Sequence, residues 1–130
     1  MTAEGASVGI VDDEELLVRT YEMLFARRKI PLAFVALDGK EAVAKFQAAR
    51  PRPKVMIVDY RLPYTSGIEA MKEIRKIEPK TKVLFISADG DIRQEALDAG
   101  ADLFLKKPIS IQTLIEATQA LLGEQLPGSR

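Results

Sequence analysis

The segment Lys54-Val55-Met56-Ile57-Val58-Asp59 decides the fold class. Its four central residues are apolar without alternation, and Pro51 and Pro53 stand just before it. A short, continuous apolar run between turn residues indicates a strand that is buried on both faces, which is typical of a parallel sheet covered by helices. Val83-Leu84-Phe85-Ile86 repeats the pattern. We therefore predict an α/β domain with a parallel sheet between two layers of helices.

Outward from this segment, short apolar runs alternate with helical periods along nearly the whole chain. The runs that predict strands are residues 7–11, 32–37, 54–58, 82–87 and 102–105. The apolar stripes that predict helices lie in residues 17–25, 42–49, 70–77, 92–99 and 111–122. This alternation predicts one doubly wound domain over residues 7–122. Residues 123–130, with their proline and glycine, are expected to form a loose C-terminal tail.

Composition excludes several kinds of chemistry. The chain has 19 basic and 19 acidic residues, so no overall field attracts nucleic acid or anionic lipid, and we expect neither as a direct partner. It contains no Cys and no His, which excludes a thiol nucleophile, a Ser-His-Asp triad and a Cys/His zinc site. No apolar run is long enough to span a membrane and no signal peptide is evident, so a cytoplasmic location is expected.

Polar side chains follow four of the predicted strands. Asp12 and Asp13 follow the first strand, Asp59 the third, Ser87 ends the fourth, and Lys107 follows the fifth. Each has a simpler explanation taken alone: a helix cap, a loop acid, a hydroxyl bonded to the main chain, or a solvated charge. Ligands of doubly wound sheets, however, bind beyond the carboxyl ends of the strands. Together these residues therefore indicate one site.

Three carboxylates at such an edge need a compensating charge. Each pair repels by about 4 kcal/mol at a separation of about 4 Å and an effective dielectric constant of about 20. Either a proton or a hard cation such as Mg²⁺ offsets this repulsion. With Asp12 and Asp13 holding the metal, Asp59 could attack phosphorus as a nucleophile. The Ser87 hydroxyl and the Lys107 ammonium could then bind non-bridging oxygens of the incoming phosphoryl group.

The sequence resembles the response-regulator receiver family of two-component signalling systems over about residues 7–122. The resemblance lies in five features that match in order and spacing. They are the Asp12-Asp13 pair, Asp59 within Val58-Asp59-Tyr60-Arg61-Leu62-Pro63, Gly67 eight residues after Asp59, Ser87, and Lys107-Pro108.

The resemblance implies a flavodoxin-like sheet with strand order 2-1-3-4-5. It also implies that Asp59 takes a phosphoryl group from the phosphohistidine of a sensor histidine kinase or a histidine phosphotransfer protein. The implied Mg²⁺ ligands are Asp13, Asp59 and the main-chain carbonyl of Arg61, with Asp12 acting through water. Such a domain is a switch that catalyses its own phosphorylation and dephosphorylation, rather than a turnover enzyme.

The same resemblance suggests how the switch is read. Ser87 would move toward the phosphoryl group and Phe104 would swing into the space that it leaves, although plain core packing also explains Phe104. A downstream protein would bind the face formed by helix 4, strand 5 and helix 5. Arg61 and Asp89 lie two residues beyond Asp59 and Ser87, where an ion pair could shield the phosphoryl group from water. Two solvated loop charges explain them equally well.

Three other functions compete with this interpretation. The chain could be the receiver piece of a longer transcriptional regulator, or a receiver-like module that binds partners without phosphorylation. It could also be a small phosphatase of similar topology. The phosphatase is disfavoured because Arg61 stands where a second acid would be needed to protonate a leaving group.

Overall fold

The computed structural model describes residues 7–123 of the 130-residue chain. Its strands are Val8–Val11 (β1), Leu32–Ala36 (β2), Val55–Asp59 (β3), Lys82–Ser87 (β4) and Leu103–Lys106 (β5). Its α-helices are Glu15–Arg27 (α1), Gly39–Ala48 (α2), Gly67–Ile77 (α3), Arg93–Asp98 (α4) and Ile111–Leu122 (α5). A 3-10 turn at Gly90–Ile92 precedes α4. Of the predicted C-terminal tail, only Gly123 lies within the described residues.

The strands form one parallel sheet in the order β2-β1-β3-β4-β5, which confirms the predicted fold class. Every residue of β1 and β3 is buried, as is every residue of β4 except its first. This burial explains why these runs are apolar without alternation: helices cover both faces of the sheet. The edge strands β2 and β5 are only partly buried.

Alternating residues of each strand enter two separate apolar layers. Val11 and Val58 face the layer that contains side chains of α2, α3 and α4. Ile10 and Ile57 face the opposite layer, against Tyr21 of α1 and side chains of α5. The side chains of residues 12 and 59, one position beyond Val11 and Val58, therefore belong on the α1 and α5 side of the sheet.

Helix starts differ in a way that bears on the site. Asp38 caps α2 by accepting from the Glu41 N–H at 2.7 Å, and Ser66 and Ser110 cap α3 and α5 in the same manner. Glu14, at the corresponding position of α1, makes no side-chain cap hydrogen bond. Its carboxylate is therefore available for other contacts.

The start of β5 and the start of α4 differ from the prediction because of local contacts that the sequence pattern does not reveal. The fifth strand begins at Leu103 rather than Asp102, because the Asp102 carboxylate accepts from the Val83 N–H at 2.8 Å and from Arg75 at 2.7 Å. The fourth helix is shorter than predicted, because Gly90–Ile92 forms the 3-10 turn, with Asp89 as its cap. No helix among the described residues is long and apolar enough to cross a membrane.

We predict that Asp102→Ala lowers the free energy of unfolding by about 1–3 kcal/mol, because the partly buried Val83 N–H loses its acceptor and the Arg75 guanidinium loses one of its two acceptors. Urea denaturation measures this change. Asp98→Ala is the matched control, since that exposed carboxylate accepts only from the side chain of Gln94 among the described residues. Equal effects of the two substitutions would contradict the assignment.

Candidate functional site

Strand register brings the polar residues to one edge of the sheet. Val11 pairs with Val58, so Asp12 and Asp59 end neighbouring strands side by side. Asp59 in turn pairs with Ile86, the residue before Ser87. On the far side, Ser87 pairs with Lys106, and the N–H of Lys107 donates to the Ser87 carbonyl at 2.8 Å. The carboxyl ends of these four strands thus lie side by side at one edge of the sheet.

The three aspartates form a cluster. Asp12, Asp13 and Asp59 each offer one carboxylate oxygen, and these oxygens lie within 4.8 Å of one another. Asp12 is fully buried and Asp59 is 5% exposed, whereas Asp13 faces solvent. Clustered carboxylate oxygens open to water on one side are the donor set that a hard divalent cation such as Mg²⁺ prefers. The residues present therefore fit the implied metal.

A single ammonium partly neutralises this cluster. Lys107 Nζ lies 3.0 Å from Asp12 Oδ2, 3.2 Å from Glu14 Oε1 and 3.5 Å from Asp59 Oδ1. The lysine side chain is only 17% exposed. Because water is largely excluded, these contacts are screened less than surface ion pairs. Lys107 thus connects the loop after β1, the end of β3 and the loop after β5.

Burial and charge shift the protonation equilibria of these groups. The pKa of Asp59 is raised to about 6, first by its burial and then by the neighbouring charge of Asp12. Burial also raises the pKa of Asp12, although the Glu14 N–H and Lys107 oppose the shift. At Lys107, burial disfavours the charge, but the surrounding carboxylates outweigh it and the pKa is raised. The surroundings of Asp59 therefore disfavour its ionised form.

Gly67 allows α3 to start against the main chain of the site. Its N–H donates to the Tyr60 carbonyl at 2.9 Å, and a Cβ at this position would clash with the main-chain oxygen of Asp59. Only a residue without a side chain fits this approach. Gly67 therefore fixes the loop that follows Asp59.

Ser87 and Phe104 are both buried in this structure. The Ser87 hydroxyl oxygen accepts from the Asp89 N–H at 3.0 Å and makes no hydrogen bond to Asp59 among residues 7–123. Phe104 pairs with Phe85 across the sheet and lies in the layer that contains α4. The hydroxyl is thus at the correct strand end but is turned toward its own loop.

Arg61 and Asp89 do not form an ion pair within the part of the chain that the structure describes. The Asp89 carboxylate instead accepts from the Asp91 N–H at 2.9 Å. Arg61 is exposed and, with Asp13 and Tyr60, lines an open groove of about 520 Å³ beside the acidic cluster. Its main-chain carbonyl accepts no hydrogen bond from a described residue, which leaves that oxygen available to a ligand.

Sequence reasoning missed the position of Glu14. Glu14 was not among the predicted site residues, yet its carboxylate lies 3.2 Å from Lys107 Nζ. The sequence position of Glu14 does not predict this contact, because the direction of a long side chain depends on the conformation of the neighbouring loop.

Comparison with known proteins supports one family. A sequence profile described as the response regulator receiver domain matches residues 8–119. The chemotaxis protein CheY of Thermotoga maritima is 34% identical over 115 residues, which cover 87% of this chain and 94% of that protein. The transcriptional regulatory protein TrcR of Mycobacterium tuberculosis is 32% identical over 92% of this chain, which spans only 47% of TrcR.

A solved structure agrees in fold. The receiver domain of the sensor histidine kinase PA1611 from Pseudomonas aeruginosa, with magnesium coordinated in its active site cleft, matches with a TM-score of 0.79 and 26% identity, covering 92% of this chain and 99% of that one. The profile spans most of the chain, and the strand order and the acidic edge are those that the family resemblance implied. The chain belongs to the response regulator receiver domain family.

Proposed function

We propose that Asp59 is the phosphoacceptor of this receiver domain. Phosphorylation on an aspartate is the general mechanism of the family. The observation that carries the assignment is the position of Asp59, which is the one carboxylate of the cluster that ends the central strand β3 while contacting Lys107 at 3.5 Å. In the reaction, a carboxylate oxygen of Asp59 bonds to phosphorus as the bond from phosphorus to the donor breaks, and the donor leaves with that electron pair.

Neighbouring side chains supply positioning and charge. Lys107 is placed to donate to a non-bridging oxygen of the incoming group, because its ammonium already lies beside Asp59. Ser87 is proposed to donate to a second oxygen after its hydroxyl turns away from the Asp89 N–H. These bonds strengthen as charge builds on the transferred group, which is the main protein contribution to phosphoryl transfer.

Receiver domains generally bind Mg²⁺. For this chain we propose Asp13, Asp59 and the main-chain carbonyl of Arg61 as ligands, with Asp12 acting through water. The aspartate cluster and the free Arg61 carbonyl support this set. When bound, the ion would neutralise charge shared between the carboxylates and the phosphoryl oxygens. Meanwhile Asp12, fully buried and bonded to Lys107 and the Glu14 N–H, keeps a fixed orientation.

Receiver domains interact with histidine kinases and with downstream effectors. We propose a phosphohistidine of a sensor kinase or phosphotransfer protein as donor, and the face of α4, β5 and α5 as the surface that an effector reads. Movement of Ser87 and Phe104 would couple phosphorylation of Asp59 to a change of that effector surface. Inverting a 1:99 population takes about 5.5 kcal/mol, and charged hydrogen bonds contribute roughly 1.5–3 kcal/mol each. Two such bonds and a metal contact suffice, without a large rearrangement of the sheet.

A longer protein is the second candidate. The chain spans 47% of TrcR, a transcriptional regulator, so this sequence could be the receiver part of such a protein, and the intact mass of the native gene product decides. A module that works without phosphorylation is less well supported, because every acceptor residue is present at the site. Self-catalysed dephosphorylation is part of our proposal, and the cytoplasmic location stays a prediction.

Acetyl phosphate tests the central assignment. With Mg²⁺ present, we expect the intact mass of the wild-type protein to increase by one phosphoryl group, and that of Asp59→Asn to stay unchanged, since the amide cannot form the acyl phosphate. Mass spectrometry of both proteins under identical conditions gives the result. Equal labelling of the two would locate the acceptor elsewhere.

The raised pKa of Asp59 predicts a pH-dependent stability in metal-free protein. An ordinary aspartate in the unfolded chain has a pKa of about 3.9, whereas that of folded Asp59 is about 6. The folded state therefore binds the proton more tightly, and this stabilisation is complete below the unfolded pKa and is lost as pH rises through about 6. We expect Asp59→Asn to be more stable than wild type at pH 8, by up to about 3 kcal/mol.

The same difference should shrink toward pH 4, where folded Asp59 is protonated and the unfolded aspartate, with a pKa of about 3.9, is about half protonated. Urea denaturation in EDTA at pH 8, 6 and 4 measures it, and Asp91→Asn serves as the control because Asp91 is exposed in the turn after Ser87. A difference between Asp59→Asn and wild type that stays constant over this pH range would refute the linkage.

The lifetime hypothesis for Arg61 and Asp89 gives a further prediction. If these residues shield the phosphoryl group, Arg61→Ala and Asp89→Ala should each lose it several-fold faster than wild type after the donor is removed. The time course of intact mass follows the loss. The absence of an ion pair between them in the described residues means that shielding would require contacts formed in the phosphorylated state. Unchanged rates for both variants reject the hypothesis.

A further inference from the structure

Glu14 contacts the site through Lys107 rather than through the expected metal position. It occupies the position before α1 but does not cap that helix with its side chain. Its carboxylate instead lies 3.2 Å from Lys107 Nζ, while its main-chain N–H donates to Asp12 Oδ1 at 3.0 Å. Glu14 therefore links the loop after β1 to the loop after β5.

Three carboxylates share the Lys107 ammonium, which donates hydrogen bonds to Asp12 at 3.0 Å and to Glu14 at 3.2 Å. An ammonium donates three hydrogen bonds, and Lys107 faces three carboxylates, those of Asp12, Glu14 and Asp59. A phosphoryl oxygen on Asp59 adds a further acceptor to the same volume. Because two protons are given to Asp12 and Glu14 and Asp59 lies 3.5 Å away, that oxygen competes with the present acceptors for Lys107.

The burial of the three carboxylates indicates which of their contacts with Lys107 is the easiest to break. Asp12 is fully buried, so leaving its carboxylate unpaired is costly. Asp59 carries the phosphoryl group itself and stays beside Lys107. The side chain of Glu14 is 63% exposed, and its carboxylate can return to water at little cost. The Glu14 contact is thus the weakest of the three.

We propose that Glu14 is a positioning residue that competes with the phosphoryl group for the Lys107 ammonium and so favours the unphosphorylated state. The proposal rests on the function proposed above. Glu14 acts against phosphorylation in two ways: it engages the lysine, and it adds a negative charge near an incoming anion. Removing its charge should therefore tighten the site for a phosphoryl group.

Beryllium fluoride, a phosphoryl analogue that binds carboxylates in the presence of Mg²⁺, provides the test. We expect Glu14→Gln to bind BeF₃⁻ about three- to fivefold more tightly than wild type at saturating Mg²⁺. Fluorine NMR titration measures the affinity. Glu15→Gln is the matched control, since it removes the same charge at the next residue. Glu15 pairs with Arg19 at 3.0 Å.

The outcomes separate the two levels of the proposal. Tightening in Glu14→Gln alone, retained at about 0.5 M salt where distant charges are screened, supports the competition. Equal tightening in Glu15→Gln, or unchanged or weaker binding in Glu14→Gln, overturns it while leaving the phosphoacceptor assignment intact. Failure of the wild-type protein to bind BeF₃⁻, or binding that persists in Asp59→Asn, removes the basis of both.

Discussion

The charge balance at the carboxyl edge of the sheet depends on the Lys107 ammonium. Parallel register places Asp12 and Asp59 side by side regardless of their charges, because the buried apolar residues before them fix the pairing of β1 and β3. The resulting repulsion is offset by Lys107, which contacts both. The offset is incomplete, since the pKa of Asp59 is still raised to about 6. The site is thus built with an excess of negative charge that a divalent cation would relieve.

An ion pair between Arg75 and Asp102 lies at the opposite edge of the sheet, and its charges are balanced. Asp102 and Arg75 connect the start of β5 to α3, and Asp102 also accepts from the main chain of β4. Both of these side chains are partly exposed. Their charges balance, so the contact stabilises the fold without storing electrostatic stress. An ion pair is therefore not by itself a sign of function, and the unbalanced cluster around Asp59 differs in having more acids than bases.

Sequence patterns predicted the elements and which polar residues lie at the carboxyl edge, because burial on both faces leaves continuous apolar runs and because parallel strands end at one edge. The strand order followed from the family resemblance rather than from periodicity. Neither the sequence patterns nor the family resemblance predicted which way individual side chains point. Glu14 crosses to Lys107, Asp102 turns back to β4, and Ser87 bonds to its own loop, each through a contact between segments distant in sequence or through a local turn. A helical period also could not distinguish the 3-10 turn at Gly90–Ile92 from the start of α4.

The main-chain bond between Lys107 and Ser87 limits how the site can respond. The Lys107 N–H donates to the Ser87 carbonyl at 2.8 Å, continuing the pairing of β4 with β5. The backbones of Ser87 and Lys107 are therefore fixed relative to each other. The Gly67 N–H acts in the same way after the third strand, since it donates to the Tyr60 carbonyl at 2.9 Å. With the backbone held at these points, adjustment at this edge is easiest in the side chains and in the loops after β1 and β4. Glu14 and Asp89 lie in those two loops, and each contacts a residue of the carboxyl edge, Lys107 in one case and Ser87 in the other.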